Sequence, residues 1–139
     1  MSTYRMFMKE NVKQHEDVAH IISNRFLDED GEPIYFRFRV LKSRDVDNAR
    51  DGAMIKGKRG FRDGVDMDTT KLMHTLIVKA MVYPDLEDSE LQNSYGVMGA
   101  SALISEMFDA KEYSKVSNIV QELAGFDKDD QELIDDAKN

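Results

Sequence analysis

Val82-Tyr-Pro-Asp-Leu-Glu-Asp-Ser-Glu-Leu-Gln-Asn-Ser-Tyr-Gly-Val-Met-Gly-Ala100 decides how this chain is read. Pro84 stops the helix before it, because the residue preceding a proline is pushed out of helical geometry. Ser89 and Gln92 have the spacing of a capping box and open a short helix. Gly96 stands where a left-handed C-terminal cap is expected, so the chain reverses there. The stretch is therefore a joint, with Pro84, Tyr95 and Gly96 as its structural hinge and Tyr95 packing beneath the turn. A joint of this kind sets two longer apolar helices against each other.

Those helices flank it. Asp68 is placed to cap a helix running to about residue 83. Leu72, Leu76, Ala80 and Tyr83 form one stripe on it, and Met73, Ile77 and Met81 form the adjoining one. That apolar face is wider than a single neighbour requires. After the joint, residues 97–108 carry Ala100, Ile104, Met107 and Phe108 on one side. Asp109 and Glu112 repeat the capping pattern, and Tyr113, Val116, Val120 and Leu123 continue at helical spacing until Gly125.

Toward the N-terminus the period changes. Ile34, Phe36, Phe38 and Val40 alternate with Tyr35, Arg37 and Arg39, which is the pattern of a half-buried strand. Residues 17–41 read as a β-hairpin whose first strand offers Val18, Ile22 and Phe26. Asp28-Glu-Asp-Gly-Glu-Pro33 forms its turn, since Asp-Gly accepts positive φ. Residues 43–55 read as a modest helix capped by Ser43 with Val46, Ala49 and Ala53 inward. Residues 56–64, with three glycines and the cations Lys56, Lys58, Arg59 and Arg62, read as a mobile basic loop. The fold class is α+β: an N-terminal antiparallel hairpin, then a compact unit of four to five helices, in one domain over 1–126. The acidic stretch 127–139 reads as a flexible tail.

Composition narrows the function. The chain has 139 residues, a net charge of −8, 41% hydrophobic and 33% charged residues, and no cysteine. Disulfides, thiolate metal sites and cysteine nucleophiles are excluded together. No apolar run reaches the roughly 20 residues of a membrane helix. The residues 1–17 lack the pattern of a secretory signal. His15, His20 and His74 have no partners at metal-ligand spacing, and a structural role is the plain reading of each. No serine sits in a nucleophile elbow, and Gly57, Gly60 and Gly64 match no phosphate-binding loop. No catalytic residue, cofactor site or metal site is assigned. The basic loop allows an anion contact through Lys56, Lys58, Arg59 and Arg62, but four cations on an acidic chain make a weak phosphate site.

Nine methionines point elsewhere, because methionine suits surfaces that accept varied apolar partners. Leu72, Met73, Leu76, Met81, Met98 and Ile104 are the candidate partner-binding residues, forming a groove between the 68–83 and 97–108 helices. The same residues could equally be the core of the helical unit.

The residues Pro84, Asp85, Leu86, Leu91, Gln92, Ser94, Tyr95, Gly96, Val97, Gly99 and Ala100 resemble the tail assembly chaperones of contractile-tailed phages and PBSX-type Bacillus prophages. Val120-Gln-Glu-Leu-Ala-Gly-Phe126, Arg25-Phe26 and the Asp-Gly turn are also similar to that family. The resemblance implies a non-enzymatic chaperone that binds the tail tape-measure protein, with the tail tube protein and a frameshift-extended form of itself as further partners. It implies action in the cytoplasm of the bacterial host and absence from the mature virion. The alternatives are nucleic-acid or regulatory binding through the basic loop, which a salt titration with DNA tests, and a structural tail component, which mass spectrometry of purified tails tests.

Overall fold

The computed structural model describes residues 3–56 and 65–126. Lys58, Arg59 and Arg62 of the basic loop, and the acidic tail from Asp127 onward, lie outside the described residues.

The alternating segment forms a strand as its period requires. β1 (Val18–Ile21) pairs antiparallel with β2 (Tyr35–Phe38), with Val18 opposite Phe38 and Ile21 opposite Tyr35. Phe36 and Phe38 point into the core while Tyr35 stays exposed. The turn uses the predicted chemistry. The Asp28 carboxylate accepts from the amides of Asp30 at 2.8 Å and Glu32 at 3.0 Å, and Gly31 takes φ +80°. α1 (Ser43–Ala53) follows, capped by Lys42 rather than Ser43, with the Asp45 carboxylate reaching back to the Lys42 amide at 3.0 Å.

The helix expected over 43–55 gives way to β3 (Met54–Lys56), which pairs antiparallel with β4 (Val65–Met67). Lys56 and Val65 are thereby held opposite each other. α2 (Thr69–Ala80) starts at Asp68 as expected, its carboxylate accepting from the Lys71 amide at 3.0 Å.

α2 ends at Ala80, four residues before Pro84, not at the proline. Met81–Tyr83 is a strand, β5, on the far side of β2, so the hairpin is part of a three-stranded sheet ordered β1-β2-β5. The reason is local. Tyr83 precedes Pro84 and avoids helical geometry, Val82 is β-branched, and β2 offers a free edge. Arg37 pairs with Tyr83 and Phe38 with Met81, with an irregularity between them.

α3 (Ser89–Ser94), α4 (Ala100–Met107) and α5 (Ala110–Leu123) complete the chain. Asp88, not Ser89, caps α3, accepting from the Leu91 amide at 2.8 Å. Gln92 is released from the cap to close the joint. Its amide donates to the Leu86 carbonyl at 2.9 Å and accepts from the Gly99 amide at 2.9 Å. Gly96 reverses the chain at φ +69°, and Gly99 at φ +97° delays α4 until Ala100. Tyr95 is 38% exposed rather than packed beneath the turn. Asp109 and Glu112 make the expected capping box.

The core lies between the inner sheet face and the helices. Phe36 and Phe38 meet Leu76 and Ile77 of α2, Leu103 and Ile104 of α4, and Val116 and Val120 of α5, all within one buried cluster. Phe26, Phe36 and Phe108 pack edge-on or tilted, with centroids 5.2 to 6.0 Å apart. Each of these large side chains contributes roughly 1.5–3 kcal/mol on burial.

Candidate functional site

A cleft of about 380 Å³ opens along α2 and the start of α4. α2 lines it with Lys71, His74, Thr75 and Val78, which recur at i, i+3, i+4 and i+7 and so share one face. Lys79, Glu87, Ala100 and Ser101 complete the lining. Val78 and Ala100 supply apolar surface, and Lys71 and Lys79 supply ammonium groups.

His74 ties the two helices together. It is 7% exposed, its Nδ1 lies 2.6 Å from Ser101 Oγ, and its ring meets Tyr113 edge-on at 5.7 Å. Burial pushes its pKa below the ordinary imidazole value, so the ring is neutral near neutrality. Among the described residues no group of three His, Cys, Asp or Glu side chains could hold a metal. The cleft sets the apolar surface of Val78 and Ala100 among Lys71, Lys79 and Glu87, and the lysine stems are themselves apolar.

The six residues assigned to a groove are placed differently from one another. Leu76 and Ile104 are fully buried and Met81 is 5% exposed, so these three build the core. Leu72 and Met73 are half-buried against it. Met98 is 93% exposed, two residues from Ala100 in the cleft wall. None of the six lines the cleft between α2 and the start of α4, whose walls are the polar shoulder of the apolar stripe. Helical spacing from Lys71 to Val78 could have found that shoulder; nothing in the sequence marks Ser101 as the partner of His74. Of the basic loop, Lys56 ends β3.

A second polar cluster joins the hairpin loop to α5. Glu112 is 3% exposed. Its carboxylate accepts from Ser23 Oγ, from Nε of Arg25 at 2.8 Å and from the second Arg25 nitrogen, Nη2. Nη2 also donates to the Met107 carbonyl at 2.9 Å, and the Asp109 amide donates to Glu112 at 2.9 Å. The Arg25 hydrogen bond holds the Glu112 pKa down at about 2, against the opposing effect of burial. With both oxygens occupied, this carboxylate serves as a clamp.

The sequence matches the family described as phage XkdN-like tail assembly chaperone protein over residues 5–138. The chain belongs to that family. Among its relatives is the phage-like element PBSX protein XkdN of Bacillus subtilis strain 168, 24% identical over 135 residues, covering 96% of this chain and 91% of the relative. Protein YqbN of the same strain, described as uncharacterized, is 26% identical with the same coverage. A crystal structure of YqbN has the same fold, with a TM-score of 0.77 at 22% identity over 91% of this chain and 99% of that one. The joint around Pro84 and Gly96 and the α2–α4 cleft are thus features of a member of the tail assembly chaperone family. Among the described residues no helix is long and apolar enough to cross a membrane.

Proposed function

We propose that this chaperone holds the tail tape-measure protein, without catalysis, in the host cytoplasm until tube subunits assemble around it, and that it leaves before the virion is complete. The tube protein and a frameshift-extended form of the chaperone itself are further partners in this reading. The observation that carries it is Met98, 93% exposed and two residues from Ala100 in the wall of a cleft lined by Val78 and Ala100 among Lys71, Lys79 and Glu87. An isolated apolar side chain on a surface needs no explanation, but one beside a preformed cleft is the anchor-and-pocket arrangement of helix recognition. Ligand clefts run from roughly 300 to 1,000 Å³, so this one takes one or two client side chains rather than a whole helix. Met98 extends the contact, and methionine adapts to different client side chains.

Co-expression tests this. The tape-measure protein is expected to be soluble with the chaperone and aggregated without it. Solubility that does not depend on the chaperone overturns the proposal.

A further inference from the structure

The part of the cleft lining that α2 does not supply is small. It consists of Glu87, Ala100 and Ser101, which come from the two sides of the joint. Both stretches lie next to a group held by one side chain. Gln92 donates from Nε2 to the Leu86 carbonyl, in the peptide unit that leads into Glu87, at 2.9 Å. Its Oε1 accepts from the amide of Gly99, the residue before Ala100, also at 2.9 Å. The Gln92 backbone adds a further bond, because its carbonyl accepts from the Val97 amide at 3.1 Å. Met98 stands between Val97 and Gly99, so its 93% exposed side chain is carried on a turn pinned to Gln92 at both ends.

The start of α4 has no cap of its own. α2, α3 and α5 each begin at an aspartate (Asp68, Asp88 and Asp109) whose carboxylate accepts an amide of the first turn. α4 begins at Gly99, which has no side chain to do this. The Gly99 carbonyl takes the first helical bond, from the Leu103 amide at 3.1 Å, while the Gly99 amide goes to Gln92. The same first turn brings Ser101 Oγ within 2.6 Å of His74 Nδ1 on α2. Gln92 is thus the outside restraint on the helix start that meets His74. The two side-chain bonds need an amide on a stem of this length. Glutamate lacks the donor for Leu86, methionine lacks donor and strong acceptor alike, and asparagine is one methylene shorter.

We infer that Gln92 is the positioning residue of the cleft: it sets Glu87, Ala100 and Ser101 at their distance from α2 and fixes the turn that carries Met98. It acts through Leu86 and Gly99 and meets no client itself. The inference rests on the client reading only for what the cleft receives.

The ring nitrogens of His74 report the cleft wall directly, because Ser101 is bonded to one of them. The chain has three histidines, so their ring-nitrogen NMR signals are few. Gln92→Met should shift the His74 signals as Ser101→Ala does. In the two variants combined the shift should be no larger than in either alone, since both break one path. Val46→Ala removes buried contacts of α1 outside the cleft lining, and should lower the unfolding temperature without moving the His74 signals. With tape-measure protein co-expressed, a folded Gln92→Met chain should give a reduced soluble yield of that protein, as Met98→Asp does. His74 signals at their parental positions in a folded Gln92→Met chain overturn the inference. So do equal shifts in Val46→Ala, which mark general loosening, and shifts that add when Ser101→Ala is combined. Shifted signals with an unchanged soluble yield overturn the role of Gln92 in the client's cleft. A parent chain that does not hold tape-measure protein overturns the client reading instead, and the His74 signals still decide the position of the wall. If Gln92→Met does not fold, Gln92→Asn keeps a donor and an acceptor on the shorter stem and is read in the same way.

Discussion

Replacing Glu112 by glutamine keeps the shape of a buried side chain and removes its charge. The carboxylate sits 3% exposed under Ser23 and Arg25, with its pKa held at about 2 against an ordinary 4.5. A tenfold change in proton affinity corresponds to about 1.4 kcal/mol, so the full depression corresponds to about 3 kcal/mol of native stability. Half of Arg25 is in water, which screens the interaction and brings the expected loss nearer ~2 kcal/mol. At roughly 3–5 °C per kcal/mol for a chain of this size, Glu112→Gln should lower the melting temperature by about 6–10 °C at pH 7. The folded-state pKa lies below the unfolded one, so the unfolded chain binds the proton first as acid is added. The stabilisation is therefore complete above about pH 4.5 and disappears as pH falls toward 2. Thermal unfolding of parent and variant from pH 7 to pH 3 measures this, and their difference isolates Glu112 from the other carboxylates. The reasoning is refuted if the variant melts within about a degree of the parent at pH 7, or if its deficit is as large at pH 3 as at pH 7.

Other expectations follow from placement. Gly96 holds φ +69° with open space around its missing Cβ, so Gly96→Ala should cost about 1 kcal/mol from backbone geometry alone and Gly96→Val more, read by urea unfolding. Leu76 is fully buried, and Leu76→Ala should cost about 2–5 kcal/mol. Met98→Asp should change stability by less than about 0.5 kcal/mol yet reduce the soluble yield of co-expressed tape-measure protein. Equal stability losses for the buried and the exposed position would contradict the assignment of core and surface.

The sequence shows its long periodic elements and hides its short ones. β2 was legible because Ile34, Phe36, Phe38 and Val40 alternate with Tyr35, Arg37 and Arg39, and α5 because its capping box and stripe agree. β5 was not, because Met81, Val82 and Tyr83 extend the stripe of α2, and only the free edge of β2 makes them a strand. β3 and β4 are three residues each, too short for any period to register. The caps expected at Ser43 and Ser89 each lie one residue earlier. At α3 two competent capping residues are adjacent and Asp88 wins; at α1 the work passes to Asp45, three residues into the turn.

The candidate site was legible as a pair of helices and not as a surface. The stripe on the 68–83 helix and the methionine content put Leu76 and Met98 in one groove, but burial separates them completely. An apolar stripe tells which face is buried somewhere, and only the packing of α4 and α5 tells which part of it is covered. The Arg25–Glu112 clamp was beyond reach for a different reason: its members are 87 residues apart, and no local pattern links them.

The most direct measurement places a photo-crosslinking side chain at position 98 and, as a control, at exposed Asp47 on α1, during co-expression with tape-measure protein. The account predicts a strong crosslink to tape-measure protein from position 98 and little from position 47. Crosslinking from position 47 without any from position 98 would contradict a client held beside the α2–α4 cleft.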